Sequence, residues 1–502
     1  MSKETKDIII LGGGTAGWMA ANLMSSHWTK LGFSITLVES PEIGIIGVGE
    51  GSTPKLKDFF DTLGIQESEW MPECNATYKN GITFKNWSTI DGFESYFHPF
   101  GCTIDALTYK LFKNNLTLRQ KGFDACAHPD RFFLMSALAN QNLSPKPPQN
   151  FPFEFHYSYH FDSVLLGKFL KKKAMSSGVK HVEGTVQNVQ LDSDGSIASI
   201  KINHERTLSA DFFIDCSGFK SVLLQETLKV PFVSFSENLF NDAAIAIPTE
   251  LKETIPSQTV STALKHGWAW KIPLTNRYGN GYVYSTRHCS SDQAELELRT
   301  HLGILDSDVE SRHLKMKVGR ASSSWYKNCV AIGLSQGFIE PLEATALQFV
   351  HSSIEEFIQA FTAGNFTNKH RETFNRRINA NFEGIRDYIV LHYKTNSRED
   401  TEYWCENRNN INISSNLQAM LESWNKGINL ESTLRQLGIH QYYTSISWNC
   451  LLAGVGSFSV QKHFSPINDD SDQVDLNYID NFIAGCTLNF EDHKAYLKKQ
   501  RL

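Results

Sequence analysis

Residues 7–24 read DIIILGGGTAGWMAANLM, and this stretch decides the fold. Its β-branched run at 8–11 has the composition of a strand buried on both faces. Gly12, Gly14 and Gly17 follow in G-x-G-x-x-G spacing. Ala16, Met19, Ala20, Leu23 and Met24 then recur at i, i+3, i+4, i+7 and i+8, which is one face of a helix. A second strand, FSITLVES, carries Glu39 about 20 residues beyond the glycines. Glycines at these positions allow a tight turn and close approach of backbone to a pyrophosphate, whose charge the helix N-terminus stabilises. Glu39 is placed to accept from a ribose hydroxyl and would repel a 2′-phosphate. The whole arrangement predicts a dinucleotide-binding α/β module.

Three further segments point to which dinucleotide. IIGVGEGSTP (45–54) is a second glycine-rich loop, FFIDCSGF (212–219) is a strand ending at Asp215 and a Ser-Gly turn, and CVAIGLSQGFIEPLEATALQFV (329–350) is a strand, a glycine loop and a helix. Scattered strand ends returning to one N-terminal fold suit an extended FAD rather than NAD alone. No second complete strand–G-x-G-x-x-G–helix–acid unit is present for NAD(P)H, so the electrons are expected as FADH2 from a separate flavin reductase.

Composition narrows the class. With 502 residues the chain can bury two or three cores. Its net charge of −6 has no basic stripe, so nucleic acid is not an expected partner. No run approaches the roughly 20 apolar residues that span a bilayer, and the N-terminus lacks the pattern of a signal peptide. The nine cysteines form no C-x-x-C pair and show no metal-ligand spacing. A cytoplasmic protein without a metal is expected, with self-association left open.

GWAWKIPL (267–274) places Trp268 and Trp270 on one face of an extended strand, with Ile272 and Pro273 at its exit. Alone, it reads as a core strand. Together with GGGTAGW, GVGEGSTP, YKNGITFKNW, YHFDSVLLGKFL, IDCSGF, GYVYS, GFIEPLEAT and IRDYIVLHYKTNSREDTEYW, it resembles the flavin-dependent halogenases of the tryptophan halogenase family over most of the chain. The resemblance implies a Rossmann-like FAD module of the GR2 type with an inserted substrate-facing sheet and a helical C-terminal region. The expected division is 1–365, with the sheet drawn from about 80–160 and 225–315, and 366–502.

The resemblance also implies the chemistry. Reduced FAD and dioxygen give a flavin hydroperoxide, and halide attack on it gives hypohalous acid. Trp268 and Trp270 would form a partition that keeps the peroxide from the organic substrate. Lys79 matches the family's essential lysine, acting by hydrogen bond or as a haloamine, and Glu343 matches its glutamate, able to take the proton from the halogenated ring. Gly12, Gly14, Thr15, Ala16, Gly17, Glu39, Gly49, Asp215, Gly333 and Leu342 would contact FAD. Backbone at Thr345 and Ala346, where a helix begins, would hold the halide ion. His98 and Phe100 match aromatic positions of the substrate pocket, and Trp448 would stack there.

The chain departs from the family in two places. The usual Glu-Ser-Thr-Gly is here Glu343-Ala344-Thr345-Ala346, which narrows backbone freedom and adds a methyl beside the anion. Bromide or iodide is therefore expected to serve better than chloride. Around HQYYTSISWNCLLAGVGSF (440–458) no clamp for an amino acid's carboxylate and amine is evident, so an indole- or phenol-type substrate is expected. Two rival readings remain open at this point: a flavin-dependent aromatic monooxygenase, and a non-catalytic FAD-binding redox protein.

Overall fold

A computed structural model describes residues 6–44, 47–203, 206–458 and 476–500; Ile45 and Ile46 of the second glycine loop lie outside them. The chain forms two compact units, each discontinuous. One takes the N-terminal segment through Ala76, Phe161–Ser236 and Met316–Glu383; the other takes Thr77–His160, Glu237–Lys315 and the chain from Gly384.

The first unit is built on a six-stranded sheet ordered Trp325–Tyr326, Cys329–Ala331, Phe212–Asp215, Lys6–Leu11, Phe33–Glu39, Lys180–Glu183. All neighbours are parallel except the first pair. A parallel sheet must be covered on both faces, and alternate residues supply the two covers. Ile9, Leu11 and Phe213 pack with Ile197, Ile200 and Ile202. Phe212 turns the other way and meets Phe357 and Phe361 at ring separations of 5.2 and 4.8 Å. Helix Thr15–Trp28 is tied to helix Ser163–Ser176 by buried Asn22, whose side-chain amide donates to Leu170 O at 2.9 Å.

The second unit carries a seven-stranded sheet ordered Arg312–Lys315, Ala243–Glu250, Arg277–Tyr284, Gly267–Pro273, Thr259–Leu264, Gly81–Lys85, Ser95–Pro99. It is antiparallel except where Thr259–Leu264 runs parallel to Gly81–Lys85. Its strands come from the two segments expected to form the inserted sheet. Ala269 and Tyr282 face the core that also holds Ala294 and Leu298 of helix Ser291–Leu302. Trp268 and Trp270 therefore occupy the opposite face.

Helices dominate after residue 370, but the units divide inside helix Arg371–Lys394, between Glu383 and Gly384, rather than at 365. The inserted strands belong with the C-terminal helices: helix Ser445–Gly454 lies against strand Ser95–Pro99, and a Cβ on Gly454 would come within 2.3 Å of the Tyr96 ring. All nine cysteines are free thiols. Among the described residues no helix is long and apolar enough to cross a membrane.

Candidate active site

In the first unit, strand register gathers the expected flavin loops. Leu11 pairs with Asp215, and Asp215 with Ala331, so three loops leave the sheet side by side at the strands' carboxyl ends. Open parallel sheets bind their ligands at this edge. The glycines differ sharply in what surrounds them. Gly12 has φ +118, and a Cβ there would lie 2.1 Å from Cys216 O; a Cβ on Gly17 would lie 1.9 Å from Gly12 O. These two are fixed by the protein's own backbone. A Cβ on Gly14 would meet nothing within 4 Å, and its φ of −74 suits any residue. Its space opens just before Thr15, the first residue of the helix. That space beside a helix N-terminus, where the first N–H groups have no helical partner, fits the pyrophosphate of a dinucleotide such as FAD. Gly333, at φ +71, brings its loop over Ala16.

Two acids of this site have other partners as well. Glu39 Oε2 accepts from Lys171 Nζ and from His181 Nε2, both at 2.9 Å, while Oε1 faces Gly13. Asp215 is fully buried, and its carboxylate accepts from the Ser217 backbone and hydroxyl and from the N–H groups of Leu223 and Leu224. Asp215 thus shapes the loop that follows it. Gly49 follows Val48, whose carbonyl accepts from Ser163 Oγ at 2.8 Å. The adjacent Glu50 carboxyl is pushed up to about 7, chiefly by burial and further by Asp162, against a hydrogen bond from Ser163.

Leu342 and Glu343 lie buried in a single turn of 3-10 helix, Pro341–Glu343. Ala344 then takes the left-handed conformation, φ +56, and helix Ala346–Ala363 begins after Thr345. The first helical N–H groups have no partner within the helix. Ala346 is helical, so the positive φ falls at Ala344, not at the position where the family has glycine.

In the second unit, Lys79 ends strand Thr77–Lys79 and is fully buried, its ammonium 5.7 Å from the Phe100 ring centroid. The strand pairs with Ser158–Asp162, setting Thr77 against His160 and Lys79 against Ser158. His98 stands two residues before Phe100 and lies 6.2 Å from the Tyr388 ring; Tyr388 meets Trp448 at 5.3 Å, edge to face, and stacks on Tyr443 at 3.6 Å. The expected His98 and Trp448 therefore meet in one aromatic cluster through Tyr388, with Tyr443 a further addition, whereas Phe100 is the ring that Lys79 approaches. Tyr388 lies within IRDYIVLHYK, where nothing singles out one ring as a pocket residue, and nothing local marks Tyr443 as its stacking partner.

Trp268 and Trp270 are buried, with ring centroids 6.2 Å apart. Small neighbours make room for them. Ser261 and Gly281 flank Trp270 in the sheet, and a Cβ on Gly281 would lie 2.1 Å from its ring. Neither indole N–H has a hydrogen-bond partner among the described residues, although hydrogen bonding is the rule for buried Trp. Ile272 and Pro273 complete the strand, and Pro273 O accepts from Thr77 Oγ1 at 2.7 Å. Two residues adjoining the lysine strand lie beyond the expected set. His160 falls in YHFD, where alternation with Tyr159 and Phe161 puts it on a polar face. His493, bonded to the Tyr78 backbone, has no local signal.

The tryptophan halogenase profile matches residues 7–471. The 7-chloro-L-tryptophan 6-halogenase KtzR of Kutzneria sp. (strain 744) is 36% identical, over 93% of this chain and 96% of its own length. The crystal structure of the tryptophan 6-halogenase SttH from Streptomyces toxytricini superposes with a TM-score of 0.85 at 32% identity, covering 98% of this chain and 99% of that one. BrvH, a flavin-dependent halogenase from Brevundimonas sp. BAL3, superposes at 0.84 with 30% identity and full coverage of both chains.

Proposed function

The chain belongs to the tryptophan halogenase family of flavin-dependent enzymes, and from that premise we propose that it halogenates an electron-rich indole- or phenol-type ring, with bromide or iodide preferred over chloride. FAD, when bound and reduced by a separate flavin reductase, supplies the electrons with which dioxygen and halide yield hypohalous acid. The glycine loops of the first unit, with Thr15, Ala16 and Glu39, hold the dinucleotide. Backbone N–H groups at Thr345 and Ala346 receive the halide.

The observation that carries the reading is a fully buried lysine facing an aromatic ring, Lys79 over Phe100. An ammonium there can hydrogen-bond hypohalous acid and polarise its O–X bond, and a neutral amine can carry the halogen as a haloamine. The ring carbon gains the halogen and loses its proton, and the oxidant's oxygen leaves as water. Glu343 is the proposed acceptor of that proton. Trp268 and Trp270 supply a wall of apolar rings that bars direct oxygen transfer to the substrate. His98, Phe100 and Trp448 receive the flat ring, and Tyr388 and Tyr443 enlarge that aromatic surface. This set is made of rings rather than charged groups, which favours a substrate without an amino-acid handle.

Mass spectrometry with FAD, a flavin reductase, NADH and indole, run separately in chloride, bromide and iodide, tests the reading. Halogenated indole, most abundant in bromide or iodide, is expected from the wild type and none from Lys79→Ala. Hydroxylated product alone would favour a monooxygenase, and full activity in Lys79→Ala would refute the mechanism. Turnover of free tryptophan but not indole would overturn the substrate class.

A further inference from the structure

The strand that presents Lys79 is only three residues long, too short for its own ladder to fix a long side chain. What holds it is unusual: a buried imidazole at each of its first two residues.

Residues opposite one another in an antiparallel pair share a face. Thr77 and Lys79 therefore lie on the same face as Ser158 and His160, and all four are fully buried. The His160 ring bridges two threonines. Nδ1 is 3.0 Å from Thr77 Oγ1, and Nε2 is 2.9 Å from Thr259 Oγ1. The Thr77 hydroxyl proton is directed to Pro273 O, so Thr77 Oγ1 can only accept from the imidazole. His160 is thus the Nδ1–H tautomer, and its Nε2 lone pair takes the Thr259 proton. This chain of bonds joins the lysine strand to strand Thr259–Leu264 and to the exit of the tryptophan strand. Burial, the Lys79 charge and His493 hold the imidazole well below the usual histidine range, so it stays neutral beside the ammonium.

The backbone is fixed in the same way. Tyr78 N–H donates to His493 Nε2 at 3.1 Å, and the other ring nitrogen lies 3.1 Å from Ile255 O, which sets the Nδ1–H tautomer here too. On the strand's exit side, Asn80 N–H donates to Ser257 O at 2.7 Å.

We propose that His160 is a positioning residue for Lys79: a neutral, tautomer-locked imidazole that, through Thr77 and Thr259, sets where the lysine ammonium meets the oxidant. The assignment rests on the role given to Lys79 above. It separates two events that global damage would not separate. Oxidant formation depends on the flavin unit, whereas transfer to the ring depends on Lys79. Loss of His160 leaves the first and impairs the second.

The experiment measures brominated indole and hypobromite captured by a β-diketone trap, each per NADH consumed, in wild type, Lys79→Ala, His160→Ala, His160→Gln and Thr259→Val. A displacement on the order of 1 Å costs about 100-fold in a positioned reaction. Brominated indole is expected to fall roughly 10- to 100-fold in His160→Ala with trapped hypobromite kept or raised. Glutamine offers a donor and an acceptor at similar reach, so His160→Gln should recover to within about fivefold of wild type. Thr259→Val should lose several-fold. Wild-type product from His160→Ala, or parallel loss of product and hypobromite in His160→Ala and His160→Gln alike, overturns the inference. Should His160→Ala fail to fold, an unchanged product-to-hypobromite ratio in Thr259→Val overturns it. If Lys79→Ala itself keeps full product, the role of Lys79 falls and the inference with it; if only Lys79→Ala is impaired, the inference alone falls.

Discussion

The glycine loops of the first unit and the lysine strand of the second hold their backbone in place by opposite means. The loops rely on close approach of one backbone to another, with Gly17 against Gly12 O and Gly12 against Cys216 O. That device is insensitive to pH and is encoded over a few neighbouring residues. The lysine strand relies on hydrogen bonds with neutral imidazoles that lie 83 and 415 residues away in sequence. It is sensitive to protonation and leaves almost no local trace. Backbone packing between near neighbours is therefore legible in the sequence, and hydrogen bonding between distant segments is hidden.

The largest expected effect tests the steric half. Gly17→Ala puts a methyl 1.9 Å from a backbone oxygen, and because both sides are backbone the clash cannot be relieved by a rotamer. It should destabilise the apo-protein by about 3 kcal/mol or more and abolish flavin binding. Gly14→Ala meets nothing within 4 Å and should leave apo stability within about 0.5 kcal/mol. Its effect should fall on FAD affinity alone, a loss of about tenfold or more, read by flavin fluorescence titration. Equal destabilisation by the two variants in denaturant melts would break the steric account of the loops.

The next effect tests the protonation half. Burial lowers the His493 pKa to about 4, against hydrogen bonds to the Ile255 and Pro256 backbone and the charge of Asp492, which all act to raise it. The folded value lies below the unfolded value of about 6.5, so the folded state binds fewer protons. Its stabilising contribution is complete above about pH 6.5 and is lost as pH falls toward 4, by about 3 kcal/mol in all. His160 acts in the same direction. Urea melts at pH 7.5 and 4.5 should show a steeper acid loss in wild type than in His493→Gln. Identical acid slopes would show that His493 is not buried in its neutral form.

Particular residues show why the two halves differ in legibility. Gly12, Gly14, Gly17 and Glu39 are readable because a tight turn, a helix start and a strand end impose fixed spacing on a continuous segment. The alternation in GWAWKIPL reveals the shared face of Trp268 and Trp270, but not Gly281 across the sheet, whose missing side chain admits the Trp270 ring. Asp215 reads as a ligand contact, yet its oxygens accept from five groups of its own loop, a demand visible only once the loop is in place. Tyr388 and Tyr443 stack from separate helical and loop segments, and periodicity carries no information about such a partner. The unit boundary lies at 383 rather than 365 because a helix pattern shows where a helix runs, not which sheet it covers.

The smallest expected effect sharpens the comparison at the point where the chain departs from its family. Ala344 holds φ +56, a conformation that costs an L-residue roughly 1 kcal/mol, whereas Ala346 is already helical. The two alanines therefore carry different penalties. Ala344→Gly should relieve strain and raise stability by about 0.5–1 kcal/mol, with little change in halide selectivity. Ala346→Gly loses helix propensity, at a cost of up to about 1 kcal/mol, and removes the methyl beside the proposed anion position. It should shift the chloride-to-bromide product ratio toward chloride in direct competition at equal concentrations. A shift produced by Ala344→Gly instead would place the control of halide choice in the left-handed turn after Glu343, making backbone strain, rather than a methyl at the helix start, the determinant.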